Sequence, residues 1–348
     1  MTDHLATREC VEVARLRKLS ASIGRNPLLV QASSGNTSVK VEGTLWMKAS
    51  GKWFAHADQD DFFVDLDVSE IQEGLRQRST LQSLYERPSS KLARGSIETT
   101  MHATLPFSVV VHVHSLNTLA WAVRADGEAQ LSTRLNGLSW QWLPYVPSGL
   151  ALALEIERVF SRHPDTNVFV LSNHGLVVCG ESCDEAQALL GEVERRLEIE
   201  PRPAPAPDLA LLNELQRAGR WQIPELARVH ALATDPLSQQ ILAGGFLYPC
   251  QAMFLPATCP GHYLLSAAPQ NGGDHFCVVD GAGVLVREDI NRAEFEMLIG
   301  LAEVVGRIDP ETKLSYLTDA QVEHVLSKEA SQYLQLAHAN SPKCAANS

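Results

Sequence analysis

The chain has 348 residues, of which 45% are hydrophobic and 20% are charged, a composition typical of globular proteins and a length that suggests two domains. Its net charge of -12 argues against nucleic acid or an anionic membrane as a partner, because neither attracts an acidic surface. The seven cysteines form no CxxC pair, and no apolar leader or membrane-length run is visible, so we expect reduced thiols in a cytoplasmic protein.

We predict a mixture of helices and strands over the first two hundred residues. Helices are predicted where apolar residues recur at helical spacing, over 9–23, from 67 to 76, from 96 to about 106, and over 118–123, 150–160 and 184–197. Strands are predicted at the end of a polar turn over 33–41, at 45–49, 62–66 and 109–114, and as a hairpin over 168–180. Residues 58–61 are predicted as an acidic turn, 80–94 as a loop or exposed helix end, and 140–145 as a short apolar segment.

A proline-rich stretch at 201–207 predicts the domain boundary, because it cannot continue a helix and is stiff and extended. The predicted organisation is a domain over 1–200, a linker over 201–207, a second domain over 208–340 and a tail over 341–348. In the second domain we predict helices and strands in an α+β arrangement: helices over 209–218, 236–243, 292–308 and 319–338, and strands over 251–255, 277–279 and 284–286.

The strand at 109–114 reads Val-Val-Val-His-Val-His and carries the strongest chemical signal. Side chains two positions apart on a strand share a face, so His112 and His114 point the same way with Cα atoms roughly 6.5 Å apart. Two imidazoles at that spacing can bind one ion with bonds of about 2.0–2.1 Å. Two core histidines bonded to backbone carbonyls are the alternative, and the spacing alone leaves both interpretations open.

The helix before that strand carries a carboxylate. Ser96 is a plausible N-cap, Glu98 lies in the first turn, and the helix is expected to end near Pro106. The link between this helix and the strand at 109–114 is short, so it can bring Glu98 close to His112. A carboxylate in the first turn is also stabilised by the helix dipole, which is compatible with a role in chemistry. His102 is interpreted as a packing or supporting group rather than a ligand.

Two turns rich in small polar residues stand at strand ends. Residues 33–38 read Ser-Ser-Gly-Asn-Thr-Ser, and residues 50–52 read Ser-Gly-Lys. Backbone N–H groups in such turns can hold an anion without net positive charge, which is compatible with the acidic composition. For any one of these glycines taken alone, a plain turn is the favoured interpretation.

Taken in order, these blocks resemble the class II aldolase/adducin family. The similarity lies in Ser34 to Ser38, Ser50-Gly51, Ser96-Ile97-Glu98 with His112-Val113-His114, the turn at 145–149 and Asn173-His174-Gly175, and covers residues 10 to about 198. The closest similarity is to the aldolase part of rhamnulose-phosphate aldolase/dehydrogenase fusions. No dehydrogenase is indicated, because Gly281-Ala282-Gly283 is too short and wrongly placed for a dinucleotide fingerprint, so no nicotinamide cofactor is implied.

The resemblance implies a three-layer α/β/α domain with a mostly antiparallel central sheet, assembled as a homotetramer. It also implies one divalent metal ion held by His112, His114 and His174, with positions left open for a substrate. Zinc is the favoured ion, and manganese or cobalt are alternatives. The linker and the smaller C-terminal α+β domain fall outside the resemblance, and no chemistry is assigned to them.

The resemblance further implies roles for residues around the ion. Glu98 would act as the general base, and a phosphate group would be held by Gly35, Asn36, Ser50, Gly51 and Ser96. Many relatives have two serines directly before the glutamate, whereas Ile97 occupies the second place here, which weakens the phosphate assignment. Lys52 could supplement this cradle, although a solvated lysine is the simpler interpretation.

The function that follows is a divalent-metal aldolase that reversibly cleaves a ketose phosphate through an enediolate. Sugar-phosphate epimerases, dehydratases and sugar-acid phosphate decarboxylases of the same fold are the alternatives, and the sequence separates them poorly. A non-catalytic, adducin-like scaffold is a third possibility, but it predicts missing ligands, and Glu98 and the three histidines are all present.

Overall fold

The computed structural model describes residues 2–59, 62–77, 94–217, 219–255, 265–266, 275–326 and 328–342. Its strands are β1 (Asn36–Val41), β2 (Thr44–Lys48), β3 (Phe63–Asp67), β4 (Val109–Val113), β5 (Trp140–Leu143), β6 (Val168–Leu171), β7 (Gly175–Gly180), β8 (Trp221–Gln222), β9 (Leu265–Ser266), β10 (Phe276–Val279) and β11 (Gly283–Arg287). Helices α1 to α7 are Thr2–Gly24, Val68–Arg76, Thr99–Thr104, Leu116–Ala122, Gly127–Arg134, Leu150–Arg162 and Cys183–Leu197. Helices α8 to α14 are Leu209–Arg217, Ala227–Thr234, Pro236–Ala243, Pro249–Phe254, Arg292–Gly306, Asp319–Val325 and Lys328–Ala339.

Seven strands form the central sheet, in the order β3-β2-β1-β4-β7-β6-β5. Neighbouring strands pair antiparallel except β5 and β6, which are parallel. The predicted mostly antiparallel sheet is therefore confirmed. The predicted histidine strand and the hairpin after residue 168 are also present, as β4 and as β6 with β7.

Alternation along β4 explains the layers on the two faces of this sheet. Val109, Val111 and Val113 face α1 and α7, in one continuous apolar cluster. Val110 faces the opposite way and packs with α3 and α6. His112 and His114 share the face of Val110 by strand parity, so two imidazoles follow directly after that apolar layer.

The C-terminal region forms a second sheet, β8-β11-β10-β9, with its own helices. Its largest apolar cluster also contains Ala32, Trp53 and the buried side of α4. In the stretch 201–207, the Arg202 guanidinium donates to the carbonyls of Val305 and Ile308 and pairs with Asp235. The C-terminal region therefore packs directly on the central sheet's helices, and the domain division at 201–207 stays a prediction.

Three local predictions are wrong. The segment predicted as a strand over 251–255 is helix α11, which begins at Pro249 because proline suits the first helical position. The long helix predicted over 319–338 is two helices, α13 and α14. Ser96 is not the N-cap of α3, because its carbonyl closes a turn by accepting from Thr99 N–H and the helix begins three residues later.

Some predicted features lie outside the described residues, namely the acidic pair Asp60 and Asp61, almost all of the 80–94 loop and the end of the tail. Across the described part of the chain, no helix combines the length and the hydropathy needed to cross a membrane.

Candidate metal centre and active site

Three buried histidines meet at one point. His112 and His114 extend from the end of β4, and His174 lies in the turn between β6 and β7. One nitrogen of each ring lies within 4.8 Å of the other two, and Nε2 of His112 is 3.1 Å from Nε2 of His114. The structure thus brings together all three histidines that the sequence suggested as ligands.

Backbone contacts orient two of these rings. His112 Nδ1 lies 3.0 Å from the carbonyl oxygen of Leu176 and donates to it, which leaves Nε2 free to bind a cation. Gly175 passes so close that an added Cβ would lie 2.6 Å from the Val113 carbonyl and 3.2 Å from the His114 ring. Glycine at 175 therefore lets the hairpin approach β4 closely enough for the rings to converge.

The turn that carries His174 is fastened at Asn173. This residue has a φ of 54°, a left-handed conformation that asparagine tolerates better than most residues. Its side-chain amide donates to the carbonyls of Leu247, at 2.8 Å, and Ser315, at 2.6 Å, both in the C-terminal region. The third candidate ligand is thus positioned in part by residues outside the central sheet.

Glu98 lies beside the histidines at the start of α3. Its Oε2 is 3.5 Å from His112 Nε2, and its Oε1 is 3.3 Å from His174 Nε2. Asn36 Nδ2 donates to Oε2 at 2.7 Å, and the Ser148 hydroxyl donates to Oε1 at 3.2 Å. The carboxylate is therefore buried, held at both oxygens and directed at the ring nitrogens.

A chain of hydrogen bonds supports Asn36. Because its amide nitrogen donates to the Glu98 carboxylate, its Oδ1 faces His102 and accepts from His102 Nε2–H. The other ring nitrogen of His102 then accepts from the Ser38 hydroxyl, at 2.7 Å. The sequence interpretation of His102 as a supporting group agrees with this placement, and the structure adds that it acts on Glu98 through Asn36.

Burial sets the protonation of the centre. It lowers the pKa of His112 to about 4 and the pKa of His114 well below its usual value, so both rings are neutral at pH 7. Burial raises the pKa of the Glu98 carboxyl, but the charge that His112 carries when it is protonated and a hydrogen bond from His174 outweigh burial and hold that pKa well below the usual value. Neutral imidazoles beside an anionic carboxylate are the forms that bind a divalent cation.

A single cavity joins the centre to the predicted anion cradle. Every residue predicted for the site lines it except His112, which is fully buried: Gly35, Asn36, Ser50, Gly51, Ser96, Glu98, His114 and His174. Lys52, considered as a supplement to the cradle, does not line the cavity.

The two cradle glycines are explained by chain packing. Gly35 has a φ of 70°, and an added Cβ would meet the backbone oxygen of His112 at 2.6 Å. Gly51 has a φ of 71°, and an added Cβ would lie 2.5 Å from the Leu336 side chain. Both positions require glycine whether or not an anion binds there.

Sequence reasoning missed several cavity residues. Lys48 is buried with its Nζ donating to the Ser33 carbonyl at 2.9 Å, and burial lowers its pKa to about 7 although Glu98 raises it. Nothing in the sequence indicated that Lys48, rather than Lys52, would line the cavity. Cys250 and Tyr333 come from the C-terminal region, where no motif pointed to the site.

The three imidazoles fit a divalent cation, since all three are buried, one nitrogen of each lies within 4.8 Å of the others, and His112 is anchored through its other nitrogen. Fold and site together define an α/β protein in which three histidines are placed so that they could hold a metal ion. The chain belongs to the class II aldolase and adducin family, because the model of the "Class II Aldolase and Adducin N-terminal domain" matches residues 15–200. Class II aldolases use a divalent metal ion.

Among curated proteins, the chain is similar to the "Uncharacterized oxidoreductase YuxG" of Bacillus subtilis (strain 168). The two are 28% identical over 177 residues, which cover 47% of this chain and 25% of that protein. The chain thus spans about a quarter of the length of this relative.

Solved structures with the same kind of domain are also similar. The N-terminal class II aldolase domain of a conserved protein from Thermoplasma acidophilum is 26% identical, with a TM-score of 0.47, over 53% of this chain and 92% of that chain. A sugar-phosphate aldolase from Thermotoga maritima is 15% identical, with a TM-score of 0.41, over 63% of this chain and 99% of that chain. The l-fuculose-1-phosphate aldolase from Thermus thermophilus is 18% identical, with a TM-score of 0.38, over 59% of this chain and 98% of that chain.

Proposed function

We propose that the chain is a divalent-metal-dependent aldolase that reversibly cleaves a ketose phosphate into dihydroxyacetone phosphate and an aldehyde. The observation that carries this proposal is the position of Glu98, whose two carboxylate oxygens lie 3.3 and 3.5 Å from nitrogens of two candidate metal ligands. A carboxylate there is within reach of a substrate that enters the same cavity. A scaffold without chemistry would have no need for this buried anion.

His112, His114 and His174 would hold the cation, whose Lewis acidity stabilises negative charge that develops on the oxygens of a bound ketose. Three histidines leave coordination positions open for those oxygens. Nitrogen donors suit zinc, which is the ion we propose, with manganese or cobalt as alternatives.

Glu98 would exchange a proton with the substrate carbon next to the carbonyl. Its low pKa means that it is ready to accept that proton at pH 7. Asn36 and Ser148 each hold one of its oxygens, so the carboxylate is fixed before the substrate arrives.

The phosphate would lie at the Ser50 end of the cavity. Gly35, Asn36, Ser50, Gly51 and Ser96 would contribute backbone N–H groups and polar side chains, and Lys48 would add positive charge. The enzyme is further proposed to be a cytoplasmic homotetramer, as the family resemblance implies.

Cleavage of a panel of ketose phosphates, with and without a chelator, tests the proposal. We expect turnover of at least one member, its loss on complete metal removal, and its return with zinc, manganese or cobalt. Glu98→Gln should lower kcat about 10²- to 10⁴-fold while metal binding persists. Glu303→Gln is a matched control, because that carboxylate pairs with Arg228 and Arg307 outside the cavity.

Full turnover by Glu98→Gln, or turnover that survives metal removal, would contradict the mechanism. Epimerised, dehydrated or decarboxylated products from the same panel would instead identify one of the alternative reactions.

A further inference from the structure

His114 has a partner on the side of its ring that faces away from the centre. Its Nε2 points to His112, whereas its Nδ1 lies 3.3 Å from the sulfur of Cys250. Both residues are buried, with exposed fractions of 7% for His114 and 5% for Cys250. Cys250 lies on α11, outside residues 15–200 that match the family.

The direction of this hydrogen bond decides what His114 can do. A neutral imidazole carries one proton, so a ring that is protonated at Nε2 offers no lone pair to a cation there. A ring protonated at Nδ1 has a free Nε2, but its buried N–H then needs an acceptor. Among the described residues, the Cys250 sulfur is the atom placed to accept it.

We propose that Cys250 is a positioning residue of the metal centre: its sulfur accepts Nδ1–H of His114 when Nε2 binds the cation. The Leu176 carbonyl makes the equivalent contact with His112. Outer partners of this kind fix the tautomer and the orientation of a histidine ligand. The inference rests on the three-histidine site of the proposed function, and it gives the C-terminal region a part in metal binding.

Metal affinity is the first test, measured by competition of zinc with a chromophoric chelator. Cys250→Ala removes the acceptor and should weaken zinc binding about 10- to 100-fold. Cys250→Ser restores an acceptor and should recover most of that loss. Cys179→Ala is the matched control, because Cys179 is an equally buried cysteine on β7 that packs in the apolar layer with α3 and α6, and it should bind zinc like the wild type.

The imidazole N–H signal of His114 in the NMR spectrum of the zinc-loaded protein is the second test. In the wild type and in Cys250→Ser we expect a protected signal that exchanges slowly with water, and in Cys250→Ala a faster exchange. A role in packing alone would not change this signal selectively. The wild-type spectrum also tests the proposal if Cys250→Ala does not fold.

The proposal fails if Cys250→Ala binds zinc within about twofold of the wild type, if Cys179→Ala loses as much affinity, or if the wild-type His114 N–H exchanges freely. These outcomes differ from failure of the proposed function. A wild-type protein that binds zinc but cleaves no ketose phosphate refutes the reaction alone, whereas one that binds no divalent cation refutes the centre itself.

Discussion

Glu98 owes its position largely to a chain of buried polar side chains. The chain from Ser38 through His102 and Asn36 ends on its Oε2: the Ser38 hydroxyl donates to His102, and His102 and Asn36 each use one donor and one acceptor. Because all four are buried, breaking one link leaves a polar group without a partner in a dry environment. The carboxylate proposed as the general base is thus held at Oε2 by buried side chains of β1 and α3.

The buried histidines should make the metal-free protein sensitive to mild acid. Burial lowers the pKa of His102 to about 3 and that of His112 to about 4, whereas unfolded histidine has a pKa near 6.5. The unfolded state therefore binds more protons between these values, so the free energy of unfolding falls as pH drops from about 6.5 toward 4. Urea unfolding midpoints of metal-free protein at several pH values measure this.

A matched pair of variants isolates the cause. His102→Gln should reduce the pH dependence of the urea midpoint, because one of the groups is removed. His163→Gln changes an exposed histidine and should leave the pH dependence unaltered. A midpoint that stays constant from pH 7 to pH 5 in the wild type would contradict the prediction.

At the level of single residues, the sequence could predict which histidines come together but not the residues that hold them in place. His112 and His114 share a face because strand parity is a local rule, and the resemblance supplied His174 and Glu98. Cys250 and Tyr333 lie far along the chain from those residues and reach the site through tertiary packing, which no local pattern encodes. The phosphate role predicted for Asn36 stays a proposal, and the sequence did not predict that its side-chain amide donates to Glu98.

Among the elements, helix α14 covers the turn that contains Gly51. Trp53 Nε1 donates to the Ala337 carbonyl at 2.8 Å, and the Ser33 and Tyr333 hydroxyls are 2.8 Å apart. Gly51 packs directly against Leu336. The proposed phosphate cradle therefore has a C-terminal helix as one of its walls.

Gly51→Ala should loosen this contact. The positive φ costs an alanine about 1–2 kcal/mol, and its Cβ would also displace α14. Gly43→Ala is the matched control, because Gly43 has a φ of 84° with nothing within 4 Å of an added Cβ. We expect Gly51→Ala to lose more stability in urea unfolding and to expose the C-terminal region to protease. Equal losses in the two variants would show that α14 does not press on this turn.

Elements with strong periodicity were predictable, and those decided by packing were not. The valine-rich β4 and the hairpin at β6 and β7 were anticipated because their side chains alternate or are wholly apolar. Helix α11 was mistaken for a strand because a short, largely apolar run fits either structure. The packing of α11 against α12 and against the cavity favours the helix, and a local sequence pattern does not contain that packing.

At the scale of the whole molecule, one apolar cluster spans both sides of the proline-rich stretch. The cluster includes residues on and just after α4, namely Leu116, Leu119 and Val123. They pack with α9 and α12 of the C-terminal region. Asn117 and Arg307 add a buried polar contact at the same interface. The C-terminal region therefore buries part of the surface of α4.

A chain that ends at Glu200 should be markedly less stable than the full chain. Leu116, Leu119 and Val123 would each lose burial worth about 1.5–3 kcal/mol. We expect a lower melting temperature, binding of a hydrophobic dye and weaker zinc affinity. A chain that ends at Pro342 keeps every described helix and is the control. Wild-type melting and zinc affinity in the shorter chain would show that residues 1–200 are self-sufficient.

The amide of Asn173 connects the turn before His174 to Leu247 and Ser315, and this connection has a thermodynamic consequence. An ion that binds only when this turn is formed also opposes local opening of the segments fastened to it. At a free ion concentration 100 times Kd, such linkage amounts to about 2.7 kcal/mol. Hydrogen exchange of backbone amides around 247 and 315 would then slow on ion loading, although neither segment supplies a ligand.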